Sequence, residues 1–146
     1  DRVAMDIKNS PELYAKTVGL DTLDIGAIER SKDFLLGGTV DYEFRTSVVR
    51  GLHTRESIVG TAKWIAGAKE YYLQAYKDSD GVLKPGFESY TLAELQAFQK
   101  ILKETISLII LFLLFTAVEQ PQHSKETTIH KNLIILFTTI NLIPFF

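Results

Sequence analysis

Five polar side chains sit on stretches that otherwise read as buried strand. Asp6 and Lys8 share one face of an alternating segment whose other face carries Val3, Met5 and Ile7. Glu43 and Arg45 oppose Tyr42, Phe44, Thr46 and Val48, and Gln74 opposes Leu73 and Ala75. Strands covered on both sides are almost continuously apolar, so charges in these positions need a reason. Either the five line a polar cavity at the centre of a sheet, or they pair with one another and with solvent on a partly exposed face. His53, in Gly51-Leu52-His53-Thr54, is open to the same two readings: a residue facing a ligand, or a local hydrogen-bonding partner. His123 and His130 complete the histidines, and the three show no metal-ligand spacing. The chain has no cysteine, which excludes disulfides, thiol catalysis and any cysteine-ligated cluster held by this chain alone.

The elements that would position these residues alternate between strand and helix. Val3 to Lys8 alternates with strand period. Ser10-Pro11-Glu12 then starts a helix, with Pro at the first helical position and an acid in the first turn. Ile25 to Leu36 is a second helical stretch, stopped by Gly37-Gly38. Those glycines follow a helix and lack a Lys-Ser/Thr continuation, so they read as a turn and not as a phosphate loop. Asp41 to Val49 is the strongest strand, Thr54 can cap a helix to about Ala68, and Tyr71 to Tyr76 is a third strand. Trp64 and the tyrosines read as packing between helices and sheet. Thr91-Leu92-Ala93-Glu94 is a capping box followed by Leu95, Phe98, Ile101 and Leu102 on one helical face. This order predicts an α/β fold: a parallel sheet with helical crossovers, either a small layered domain or the latter part of a (β/α) barrel. In both, ligands bind at the C-terminal ends of the strands.

Of 146 residues, 46% are apolar and 23% charged, as in an ordinary globular domain. A net charge of −2 offers no basic field for nucleic acid. The averages conceal two unlike parts. Residues 1–104 carry 30 of the 34 charges and every glycine and tyrosine, whereas Ile, Leu or Phe fill 20 of the 42 positions in 105–146. The reading is therefore a folded part, 1–104, and an apolar tail, 105–146.

Three strings resemble a known family when taken together. They are Val3-Ala4-Met5-Asp6-Ile7-Lys8-Asn9, Asp41-Tyr42-Glu43-Phe44-Arg45-Thr46-Ser47-Val48-Val49-Arg50-Gly51-Leu52-His53-Thr54, and Ala68-Lys69-Glu70-Tyr71-Tyr72-Leu73-Gln74-Ala75-Tyr76. In this order they resemble the C-terminal half of radical S-adenosylmethionine activating proteins, nearest to the activator of anaerobic ribonucleoside-triphosphate reductase. The pyruvate formate-lyase activating enzyme is a more distant cousin. The resemblance covers residues 1 to about 104. It implies the C-terminal portion of a partial, TIM-like (β/α) barrel of the radical S-adenosylmethionine type. It also implies two cofactors, S-adenosylmethionine and a 4Fe–4S cluster, and a cytoplasmic enzyme. Reductive cleavage of the first would give a 5′-deoxyadenosyl radical that takes a hydrogen from a glycine of a partner glycyl radical enzyme. By position, Asp6 and Lys8 match the family's Asp-x-Lys strand. Arg45 matches the arginine that meets the cofactor's carboxylate, where a guanidinium can orient its partner through two parallel bonds.

The sequence also departs from that family. The three-cysteine motif, the glycine-rich segment after it and the first three barrel strands are missing, and Arg50 stands where relatives often carry proline. The expectation is a fragment of an activating enzyme that is inert as it stands and holds neither cofactor fully. For the tail, Ile106–Val118 and Leu133–Phe146 are uncharged runs of 13 and 14 residues. Each is roughly 20 Å as helix against ~30 Å of bilayer hydrocarbon. Three readings stand: an aberrant reading-frame product, favoured by the composition; a helix continuing from residue 91 to about 118; or contact with a membrane. The alternative from another class is a non-catalytic α/β module tethered to a membrane by this tail.

Overall fold

The computed structural model describes residues 1–78 and 86–118. The elements are β1 (Arg2–Asp6), α1 (Pro11–Thr17), α2 (Ile25–Leu36), β2 (Asp41–Val48), α3 (Arg55–Trp64), β3 (Tyr71–Ala75) and α4 (Leu92–Val118). The three strands form one parallel sheet in the order β1-β2-β3. The α/β reading and the parallel crossovers are therefore present, as an open three-stranded sheet.

Local chemistry explains where most elements begin. Asp24 caps α2 by accepting the Gly26 N–H at 3.0 Å. Thr54 and Ser57 make a reciprocal capping box at the start of α3, and Thr91 and Glu94 do the same for α4. Ser10 is extended before α1 but makes no side-chain cap; the buried Asn9 supports that turn instead, its side-chain Oδ1 accepting the Ser10 N–H at 2.8 Å.

Several boundaries differ from the sequence reading. β1 ends at Asp6, which leaves Lys8 just past the strand, although Ile7 still donates to the Arg45 carbonyl at 2.8 Å. β2 ends at Val48, and Val49 and Arg50 pass into isolated bridges with Ser89 and His53. α3 stops at Trp64 instead of reaching Ala68, because Gly67 takes φ +95 and turns the chain toward β3. No helix end falls at the compositional break after Glu104: α4 crosses it and continues to Val118. Nothing there can stop a helix, since the next proline is Pro121 and Leu, Ile and Phe extend the helix without a breaker. Leu133–Phe146 lies outside the described residues. Among those described, no helix is long and apolar enough to cross a membrane.

The core lies on one side of the sheet. Ile7, Tyr42, Phe44, Val48, Tyr71 and Leu73 point into a cluster with Tyr14, Leu35, Ile58, Ala62, Ile65, Leu95, Phe98 and Leu102 from the four helices. Trp64 packs at its margin, edge-on to Tyr14 at 5.9 Å and beneath the Lys32 ammonium. At Gly60 a Cβ would stand 2.8 Å from that of Ser10, so α3 can approach the start of α1 only without a side chain there. The other side of the sheet carries no residue of this core, and it is the side that holds the charges.

Candidate functional site

Strand register assembles the polar face. Asp6 lies beside Arg45 and Arg45 beside Tyr72; Ala4 lies beside Glu43, and Ser47 beside Gln74. In a parallel pair, residues in register point to the same side, so residues 39 positions apart meet between β1 and β2 and residues 27 apart between β2 and β3. The alternation read from the sequence thus puts Asp6, Glu43, Arg45 and Gln74 on one face, with Lys8 at its C-terminal end.

The charges on this face hold one another. Lys8 Nζ donates to Asp6 Oδ2 at 2.7 Å, and both side chains are about half exposed. Arg45 pairs with Glu43 through Nε and an Nη group, both on Oε1. Oε2 of Glu43 takes Arg2 at 2.6 Å, and Arg2 also pairs with Glu70, which accepts from the Tyr72 hydroxyl at 2.7 Å. Glu43 is the buried member of this chain of contacts, lying between two guanidinium groups. The bond to Glu70 raises the already high pKa of Arg2, and the same carboxylate raises that of Tyr72. Of the two sequence readings, mutual pairing is what the geometry displays, on an open face and not in an enclosed cavity. Sequence reasoning missed Arg2 and Glu70. Carrying the period-two pattern one step upstream, from Ala4 to Arg2 and from Tyr72 to Glu70, would have found both.

The pairing leaves capacity unused. A guanidinium has five N–H donors, and Arg45 turns one edge to Glu43, leaving the other for an incoming carboxylate. The exposed Lys8 ammonium stands past the end of β1, at the strand ends where α/β sheets bind ligands. A groove of about 700 Å³ lies elsewhere, between β1 and α2, and reaches this face only at Ala4 and Asp6.

His53 is a structural residue. It is buried, its Nδ1 accepts the Val49 N–H at 3.0 Å, and its Nε2 donates to the Lys8 carbonyl at 2.8 Å. That pattern assigns the neutral Nε2–H tautomer, and burial holds its pKa below the ordinary value of 6.5. Asn9 does similar work: it is fully buried and donates to the Leu52 carbonyl and the Thr17 hydroxyl. The two residues fix the Lys8 segment against the loop after β2.

Arg50 has a local function too. Its guanidinium binds Glu94 at 2.7 Å and lies over the Tyr90 ring at 4.3 Å, while its N–H donates to the Glu88 carbonyl at 2.9 Å. Arg50 and the Thr91 hydroxyl and N–H hold the Glu94 carboxyl down to about 2. Proline at position 50 would forfeit the N–H as well as the side chain.

No set of three or more His, Asp or Glu side chains converges on a cation site among the described residues. With no cysteine in the chain, the ligands of a 4Fe–4S cluster do not fit here. The free edge of Arg45 has the donors that a carboxylate takes.

Comparison with family models and with curated proteins gives no match. Among solved structures, the fold is similar to the crystal structure of a domain of pyruvate-formate lyase-activating enzyme from Bacteroides vulgatus ATCC 8482. The TM-score is 0.51 at 15% identity, covering 71% of this chain and 62% of that one. This likeness is one of fold, and the chain spans about three-fifths of that domain.

Proposed function

We propose that the chain is the C-terminal part of a radical S-adenosylmethionine activating protein whose partner is a glycyl radical enzyme. Within that class the strings around Asp6, Arg45 and Tyr71 favour the anaerobic ribonucleoside-triphosphate reductase as partner, and with it a cytoplasmic location. The observation that carries the reading is the gathering of Asp6, Lys8 and Arg45 on the uncovered face of a parallel sheet. The fold likeness to an activating-enzyme domain supports it independently.

In this reading S-adenosylmethionine, when bound, supplies the group that is cleaved reductively, and this chain contributes recognition. Arg45 orients the amino-acid carboxylate, Glu43 holds the guanidinium in place, and the Asp6–Lys8 pair presents a second charged contact at the strand ends. Cluster ligands and the electron come from a polypeptide segment other than this one. Residues 1–104 form the recognition part, and α4 continues beyond it with Ile106 still packed on its core.

The test is the coding DNA upstream of Asp1. Three clustered cysteine codons in frame are expected; a frame closed by a stop codon, or open without them, leaves the proposal without a cluster.

A further inference from the structure

Where β1 ends, side chains take over the hold on the backbone. The Tyr14 hydroxyl donates to the Asp6 carbonyl at 3.3 Å, the Thr46 hydroxyl to the Ile7 carbonyl, and His53 Nε2 to the Lys8 carbonyl at 2.8 Å. Three consecutive carbonyls are thus held from α1, from β2 and from the loop before α3. Two of the donors are fixed in turn: Thr46 accepts the Tyr71 hydroxyl at 2.8 Å, and His53 accepts the Val49 N–H at 3.0 Å. Thr46 and His53 are buried, as is Asn9, the next residue along, which donates to the Leu52 carbonyl at 3.0 Å.

A continuing ladder would satisfy such carbonyls with backbone N–H groups and need no particular side chain. Side-chain donors do more, because each fixes its carbonyl at a place set by its own packing. What they fix is the point from which Lys8 projects, while the Lys8 side chain itself is half exposed and pairs with Asp6. The same contacts reach Arg45. Its carbonyl accepts the Ile7 N–H at 2.8 Å, and Thr46 follows it on β2. The backbones at Lys8 and Arg45 are therefore tied to one another. We propose that Thr46 and His53, with Tyr14, are positioning residues that keep the Lys8 ammonium and the Arg45 guanidinium at the spacing a single bound ligand needs. Binding groups must stay within ~0.5 Å of their productive places, which requires supporting contacts behind them. This role rests on the reading of the charged face as the site for S-adenosylmethionine, and it adds what holds that site together. It also accounts for the extent of the strings that resemble the family, since Asn9, Thr46 and His53 belong to them although all three are buried.

A double-mutant cycle separates positioning from mere stability. Equilibrium binding of S-adenosylmethionine is measured on the polypeptide encoded by the frame extended upstream of Asp1. His53→Gln is expected to weaken binding several-fold in the otherwise unaltered protein and in Arg45→Ala. In Lys8→Ala it should add nothing, because the side chain it places is gone. Thr46→Val should behave in the same way, and Tyr14→Phe, which keeps the ring and loses only the hydroxyl, supplies the cycle if His53→Gln does not fold. Leu102→Ala removes buried packing from α4 and should leave the affinity unchanged. No loss from His53→Gln, or an equal loss with and without Lys8, overturns the positioning role, while weakened binding by Lys8→Ala and Arg45→Ala would still uphold the site. An equal loss from Leu102→Ala overturns the role as well, since any destabilisation would then suffice. Unchanged affinity in Lys8→Ala overturns both the role and the part given to Lys8 in binding.

Discussion

His53 shows how a residue that looks catalytic in the sequence is used by the fold. Its two ring nitrogens tie the Val49 N–H to the Lys8 carbonyl, across an interval that otherwise has no ladder. Protonation would put a hydrogen on Nδ1, break the Val49 bond and leave a buried charge. The native pKa lies below 6.5, so between the two values the unfolded chain binds more protons than the native one, and stability falls as pH drops through that window. Urea titrations from pH 7.5 downward should show this loss, and His53→Gln should flatten the slope while lowering stability at pH 7.5. A wild-type chain whose stability is level from pH 7 to pH 5 would contradict the assignment. Glu94 has the same sign: its pKa is lowered to about 2, so the stabilisation it brings is complete above 4.5 and is lost as pH falls toward 2. The sequence showed Thr91 as the partner of Glu94, but neither the Arg50 bond to Glu94 nor the partners of His53. A histidine's role depends on which carbonyl lies 2.8 Å away, and Lys8 is 45 positions distant in the chain.

At the scale of elements, alternation was the most readable signal, because a strand's two faces follow from its period alone. The side chains of β1, β2 and β3 divide as the spacing implies. What the spacing could not supply was which charges meet, since Arg2, Glu43 and Glu70 come together through the register of three strands. The extent of α4, left open among three readings of the tail, follows from a different rule: a change in composition is not a helix stop, and only Gly, Pro or a cap would have ended it at Glu104. Gly60 offers a sharp test of helix packing. Gly60→Ala drives a methyl to 2.8 Å from the Ser10 Cβ, so α1 and α3 must separate, at a cost of about 1–3 kcal/mol measurable by chemical denaturation. An unchanged or raised stability would mean that helix propensity outweighs the contact. In α4, Ile106 packs against the core while Leu108, Leu111 and Phe112 are exposed. Ending the chain after Ser107 should therefore preserve the circular dichroism of the α/β part and raise its solubility. Ending it after Glu104 should cost additional stability, of the order of 1–2 kcal/mol for a partly buried isoleucine. If the two truncations are equally stable, Ile106 contributes nothing to the core.

For the molecule as a whole, the sheet has a covered side that makes the core and an uncovered side that carries a balanced set of charges. The charges alone would describe a surface stabilised by ion pairs. What distinguishes this face is that Asp6 and Lys8 close the end of β1 with Arg45 of β2 in register beside Asp6. The central claim is that Arg45 recognises the carboxylate of S-adenosylmethionine. Equilibrium binding of that molecule to the polypeptide encoded by the frame extended upstream of Asp1 tests it most directly. Arg45→Ala should weaken binding by about 1.5–3 kcal/mol, the scale of a hydrogen bond to a charged group, and Arg45→Lys should recover only part, because an ammonium cannot form the paired bonds of a guanidinium. Affinities for both variants equal to that of the unaltered protein would contradict the claim and leave Arg45 as the partner of Glu43 alone.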